Sequence, residues 1–260
     1  MRDVMRLVWW VVTHHRAGMC YAGSMQDLLN TYSRCEGTDA LGPGRRAVLW
    51  VQGCGIRCPG CLVPDSWDPK GGERVSVESL VQWFLELAEV DGLTISGGEP
   101  FDQAAALGLF VSRVKAERDV GVMCYTGYRL EHLMARATPE TTGLLSQIDI
   151  LIDGPYVVGL HRPLLWRGSA NQRVILLTDR YRAVLEAMPD VPVPLEVQVE
   201  DDASYRIVGV PSVPGFRERI ESGLEQRGVE LEGLSARSPK PRRDSVTETQ
   251  RDVRSAIGLG

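Results

Sequence analysis

From Arg45 onward, short runs of β-branched and apolar residues alternate with longer stretches whose apolar positions recur every three or four residues. "RRAVLWVQ" (45–52, with Gly53 next) carries a continuous apolar run and predicts a buried strand. In "VSVESLVQWFLELAEV" (75–90), Val77, Leu80, Val81, Phe84, Leu85 and Ala88 share one helical face, and Ser76 is placed to cap it. "GLTIS" (92–96) reads as a short buried strand stopped by Gly97-Gly98, and 101–117 as a helix. "GVMCYT" (121–126) is a strand closed by Gly127, and 129–137 a helix with Pro139 just beyond it. "IDILID" (148–153) is a strand ended by Gly154-Pro155, and "QRVILLT" (172–178) is another.

Strand and helix in this alternation predict an α/β fold built from βα units on a mostly parallel sheet. Such sheets bind ligands at the carboxyl ends of their strands. The polar and glycine-rich signals fall at those ends: Cys54 after the first strand, "SGGEP" after the second, "TGY" after the third and "DGPY" after the fourth. Past Pro189 the character changes. Residues 190–211 read as a small hairpin and 215–228 as an amphipathic helix; from Leu234 the chain is rich in Ser, Pro, Arg and Gly and is expected to be disordered. The resulting division is a doubtful leader at 1–24, a core at 25–189, a small C-terminal extension at 190–233 and a tail at 234–260.

Composition sharpens this picture in two places. A net charge of -5 over 260 residues gives no basic field for nucleic acid. The apolar run at 6–12, "RLVWWVV", is too short to span a bilayer and has His14, His15 and Arg16 next, so neither export nor a membrane anchor is expected. Six cysteines, three of them crowded together, point to metal or catalytic thiols in a reducing compartment, hence the cytoplasm.

Those three are Cys54, Cys58 and Cys61, spaced C-x3-C-x2-C on one loop. Thiolates suit zinc or iron–sulfur clusters. Structural zinc wants four closed ligands, and no partner knuckle is visible: His132 and His161 are isolated and Cys124 lies in a strand. Three cysteines can instead hold three irons of a [4Fe–4S] cluster and leave the fourth open. A zinc-stapled loop or buried free thiols remain the plain alternative.

This spacing, with "SGGEP" about forty residues on, resembles the radical S-adenosylmethionine (SAM) superfamily. "CPGC", "PDSW", "SGGEPFDQ", "CYTGY", "DILIDGPYV" and "WRGSANQRVI" together resemble glycyl-radical-enzyme activases of the anaerobic ribonucleotide reductase type, from about Leu41 to Leu177. The resemblance implies a partial, open radical-SAM βα barrel, here followed by a small C-terminal α+β extension. It implies a [4Fe–4S] cluster on Cys54, Cys58 and Cys61, and SAM on the free iron. It implies SAM contacts from Ser96, Gly97, Gly98 and Glu99, with Gly97 to Pro100 around the methionine amino group. Tyr125, Thr126 and Gly127 would stand at the next strand end, and Asp153 and Gly154 at the one after. Arg167, Asn171, Gln172 and Arg173 would form a polar cluster facing the SAM carboxylate or the protein substrate. No side chain is assigned a catalytic role, because the cofactor carries the chemistry. The implied partners are a glycyl-radical enzyme and an electron donor of flavodoxin or ferredoxin type.

Several of these residues have a plainer reading. Tyr125 is equally suited to packing, Asp153-Gly154-Pro155 to a simple turn, and Arg167 and Arg173 to solvated charges. Trp67 reads as a lid over the cysteine loop or as core, Cys124 as a buried strand thiol, and Cys20 and Cys35 as incidental, ahead of the domain. Many relatives carry an aromatic residue before the third cysteine, facing adenine; this chain has Gly60. Two other functions stay open: a radical-SAM enzyme acting on a small molecule or peptide, and a non-catalytic zinc- or cluster-binding adaptor.

Overall fold

The computed structural model describes residues 27–199 and 205–227. The leader at 1–24, with Cys20 and the His14-His15 pair, and the tail from 234 lie outside the described residues. The elements are β1 (Leu28–Thr38), β2 (Arg46–Val51), β3 (Glu73–Ser76), α1 (Val77–Glu86), β4 (Gly92–Gly97), α2 (Ala104–Glu117), β5 (Gly121–Thr126), α3 (Leu130–Arg136), α4 (Pro139–Leu145), β6 (Ile150–Asp153), β7 (His161–Leu164), β8 (Arg167–Ser169), β9 (Arg173–Leu176), α5 (Arg182–Ala187), β10 (Glu196–Val199), β11 (Tyr205–Val208) and α6 (Phe216–Glu225).

Seven strands form one sheet in the order β3-β1-β2-β4-β5-β6-β9. The expected parallel core is β2, β4, β5 and β6. Strands β3 and β9 are its two edges, so among the described residues the sheet is open and not closed into a ring. Side chains of β5 alternate between its faces. Val122 and Cys124 join the core under α1, α2 and α4 with Phe84, Ile95, Leu107 and Phe110. Met123 joins Ile150, Ile152 and Trp166 on the other face, with Tyr125 packed against them. Each large apolar side chain buried in this way contributes about 1.5–3 kcal/mol.

Four features depart from the sequence reading. Strand β1 was not foreseen: its pairing with β2 slips between Thr31 and Ser33 and again between Cys35 and Thr38, which breaks the period of two. Cys35 is therefore not ahead of the domain; it is buried within the sheet, 1% exposed. The helix expected over 75–90 spans Val77–Glu86, with the foreseen Ser76 cap accepting from Ser79 N; Val75 belongs to β3 and Leu85 is exposed. Pro139 does not merely follow a helix. It opens α4, where Thr138 caps and proline occupies the first turn, a position that needs no N–H.

The fourth departure positions the site. Strand β9 lies antiparallel to β6. The chain leaving β6 folds into the β7–β8 hairpin and makes no crossover helix, so it returns from the carboxyl end of the sheet. Residues 154–172 are thereby draped over that end, beside the cysteine loop.

Candidate metal and cofactor site

The cysteine loop hangs from the end of β2 and is pinned by three buried amides. Gln52 donates from Nε2 to the carbonyls of Asp65 (3.0 Å) and Asp68 (2.7 Å). Asn30 of β1 donates to Pro69 O at 3.0 Å. Gln103 donates to Asn30 O and Gln52 O, both at 2.9 Å. Backbone bonds complete the frame: Gly53 N to Ser66 O at 2.7 Å, and Cys54 N to Trp67 O at 3.1 Å. Sequence reasoning missed these residues; the available signal was an amide at each of two apolar strand or helix ends. Cys54, Cys58 and Cys61 are half-buried and free, and all three line one cavity of about 260 Å³.

N–H groups face the sulfurs. Val63 N donates to Cys61 Sγ at 3.4 Å. The Trp67 indole also reaches Cys61, the amides of Ile56 and Arg57 reach Cys54, and that of Tyr156 reaches Cys58. Burial nevertheless raises all three thiols, Cys61 to about 11, and the Glu99 and Asp102 carboxylates raise Cys54 further. The metal-free thiols are thus neutral, and a metal must displace their protons. Among the described residues no three His, Cys, Asp or Glu side chains converge on one ion-sized point. Ligation of three separate corners of a cluster needs no such convergence.

The end of β4 packs onto the root of this loop. Gly98 N donates to Val51 O and Glu99 N to Gly53 O, each at 2.8 Å. Gly97 has φ +103, and a Cβ on Gly98 would lie 2.2 Å from Gly53 O. Only glycine permits that approach. The variant Gly98→Ala is expected to push the loop root aside, destabilise the chain by about 2–3 kcal/mol, and bind less iron after anaerobic reconstitution. Thermal melts and iron content check it.

Glu99 is fully buried and ties β4 to β5. Its Oε1 accepts from Phe101 N (3.0 Å) and the Thr126 hydroxyl (2.8 Å), and its Oε2 from Gly127 N (2.9 Å). A carboxylate offers about four lone-pair sites, so one on Oε2 stays available. Burial lifts its pKa to about 7 against those three donors. Ser96, Gly97, Gly98, Tyr125 and Gly127 line the same cavity. Tyr125 lines the cavity and also packs: its hydroxyl donates to Trp166 O at 3.0 Å while burial raises its pKa.

The chain has relatives of known family. Residues 40–175 match the family model described as a 4Fe-4S single cluster domain. The anaerobic ribonucleoside-triphosphate reductase-activating protein of Enterobacteria phage T4 is 34% identical over 145 residues, covering 53% of this chain and 88% of the relative. The protein of that name from Vibrio cholerae is 37% identical over 139 residues, covering 50% and 87%. The pyruvate formate-lyase-activating enzyme of Clostridium pasteurianum is 41% identical over 63 residues, 22% of this chain and 26% of the relative. The chain belongs to the radical-SAM activating proteins with a single 4Fe–4S cluster domain. Its cofactors are accordingly a [4Fe–4S] cluster and SAM, and the donor set fits them: three thiols on one loop, N–H groups near the sulfurs, and a glycine platform with a carboxylate lining the same cavity.

Not every residue assigned by resemblance to this activase site meets the cavity. Asp153 and Arg173 are absent from its lining and meet each other. Asp153 is fully buried and accepts from Arg173 Nε at 2.8 Å, from Arg173 Nη2, and from Leu130 N at 2.8 Å. The guanidinium of Arg173 also grips Glu131 (2.8 and 2.9 Å), which holds that carboxyl at about 2. The pair sits directly opposite in the β6–β9 register and braces that edge to α3. Arg167 bonds Asp190 and the carbonyl of Gln172; Asn171 donates to Pro155 O at 2.7 Å. This cluster knits the returning loop, and within it Gln172 lines the cavity. Cys124 is fully buried on β5, as the plain reading had it.

Four residues of the activase cavity had been given no role from the sequence. Tyr156 packs beside Gly60, whose added Cβ would lie 3.3 Å from the ring; its hydroxyl meets His161 Nδ1 at 3.1 Å. Tyr32 comes from β1, and Phe216 and Arg217 from α6. Tyr32, Phe216 and Arg217 carry no local motif, since each arrives from an element distant in sequence, whereas Tyr156 closes the "DGPY" turn at the end of β6.

Proposed function

We propose that this chain activates a partner enzyme by generating a glycyl radical on it, using SAM and a reduced [4Fe–4S] cluster. The observation that carries the reading is the shared cavity: the three thiols of one loop and the β4 glycine platform with Glu99 line it together. When bound, the reduced cluster would supply one electron for cleavage of the SAM C–S bond to methionine and a 5′-deoxyadenosyl radical, and SAM would thereby supply the group that takes a Cα hydrogen from glycine, leaving 5′-deoxyadenosine and the glycyl radical.

This chain's residues bind, orient and shield. Cys54, Cys58 and Cys61 would hold the cluster, and Ser96 to Glu99 with Tyr125 to Gly127 would hold SAM. Glu99, with Asp102 nearby, puts negative charge where the cationic SAM would lie, a stronger attraction in a dry cavity than in water. Carbonyls of Gly97 and Gly98 and the remaining lone pair on Glu99 Oε2 would accept from its ammonium. An electron donor of flavodoxin or ferredoxin type and a reducing cytoplasm complete the proposal; no helix among the described residues is long and apolar enough to cross a membrane.

The test incubates dithionite-reduced, reconstituted protein with SAM and a candidate glycyl-radical enzyme. The expected outcome is 5′-deoxyadenosine together with a glycyl doublet in electron paramagnetic resonance. A second reading, a radical-SAM enzyme for a small molecule or peptide, is favoured by the extra wall that the C-terminal residues add to the cavity. Deoxyadenosine formation with no doublet on any partner would select it.

A further inference from the structure

The family match ends at residue 175, yet part of the cavity wall comes from beyond it: Val210, Pro211, Phe216 and Arg217 line the side facing the cysteine loop. This segment is anchored at both ends. At the hairpin end it is held through β10, the strand paired with β11: Glu196 accepts from the Thr38 hydroxyl (2.7 Å) and Asp39 N (2.6 Å), and Gln198 donates to Gly37 O (2.9 Å). Val208 is buried against Leu41 and Val48. At the helix end, Arg217 pairs with Asp65 at 2.7 Å and with Glu221 at 2.6 Å; the Arg217 and Asp65 side chains are only 8% and 12% exposed. Asp65 lies in the cysteine loop, four residues after Cys61. Tyr32 of β1 meets the same junction, its phenol pushed up to about 12 by burial and by Asp65.

We propose that residues 205–227 form a strap that closes the cofactor cavity in cis, with the Arg217–Asp65 ion pair as its latch and Arg217 as a positioning residue for the cysteine loop. The proposal rests on the reading of the cavity as the SAM site. Its physical basis is that a two-point anchor holds an apolar wall across the cavity, which keeps water from SAM without help from a partner. A nearly buried ion pair suits a latch: breaking it by removing one partner leaves the other charge buried and unpaired. SAM, once bound, adds contacts to the wall and tightens the strap.

The experiment uses the full chain, cluster-loaded and anaerobic. Hydrogen exchange over 205–227 is measured with and without SAM, and SAM affinity is measured by equilibrium dialysis with no partner present. SAM is expected to slow exchange in this segment at least about fivefold. Arg217→Gln is expected to speed exchange there, weaken SAM binding about tenfold and retain its iron. Unchanged exchange on adding SAM, or wild-type SAM affinity in Arg217→Gln, would overturn the proposal. Should Arg217→Gln lose its iron, Arg217→Lys decides, because it keeps a positive charge against Asp65 and Glu221: recovery of iron and SAM binding supports the latch, and failure to recover refutes it. A wild-type chain that binds no SAM overturns both this proposal and the reading it rests on. A missing glycyl doublet counts against activation alone, because these measurements need no partner.

Discussion

Cys58→Ala, reconstituted anaerobically, is expected to fall from about four irons per chain to background and to cleave no SAM above the level of cluster-free protein. Cys58 shares its cavity with Cys54 and Cys61, and its sulfur receives the Tyr156 N–H. With one corner ligand gone, two thiolates on a pinned loop cannot hold a four-iron cluster. Cys124→Ala is the matched control. That thiol is fully buried, but among the described residues its hydrogen bond is to its neighbour's carbonyl, from Sγ to Tyr125 O at 3.4 Å, and it is absent from the cavity lining. Truncating it should cost about 1 kcal/mol of stability and leave the iron content unchanged. Equal iron loss in both variants would mean that the loop is not the ligand set.

The second large effect is at Glu99, in stability and in binding. Its carboxyl is raised from an ordinary 4.5 to about 7 by burial. The folded-state value lies above the unfolded one, so the contribution is fully present below the unfolded value and is lost as pH rises through the folded one. Between pH 5 and pH 8.5 the cluster-free chain should therefore lose on the order of 3 kcal/mol. The three cysteine thiols are held above their usual range and stay protonated through most of this window. Glu99→Gln cannot titrate. It should flatten the slope while placing an amide N–H against a backbone donor, either Gly127 N or Phe101 N, at a cost of about 1–3 kcal/mol. Urea midpoints at the two pH values read both effects, and a slope that survives in Glu99→Gln would assign it to another group. The same variant removes the negative charge proposed to face the SAM ammonium, so SAM affinity should fall at least tenfold, the equivalent of about 1.5 kcal/mol for a charged hydrogen bond.

The central strands were legible because their side chains are buried on both faces, which leaves unbroken apolar runs such as those of β2 and β5. The cysteine loop and the "SGGEP" turn were legible because thiols at short spacing, and glycines where a strand stops, carry their chemistry locally. Strand β1 was not, since two register slips scrambled its alternation. Pro139 suits both the end of one helix and the start of the next, and only the Thr138 cap resolves it. Asp153 and Arg173 were linked to the site by resemblance, but sequence gives no register between β6 and β9, and that register makes them each other's partner.

Residue order alone determined the parallel core, the three-thiol loop and its placement, with the glycine turn, at the strand ends, because burial periodicity and ligand spacing are local properties of a chain. Only the tertiary structure decided what surrounds them: the amides of Asn30, Gln52 and Gln103 under the loop, Tyr156 beside Gly60, and Arg217 reaching Asp65 from more than a hundred residues away. Those contacts join segments whose separation along the chain carries no pattern, and they exist only once the packed sheet has brought the segments together.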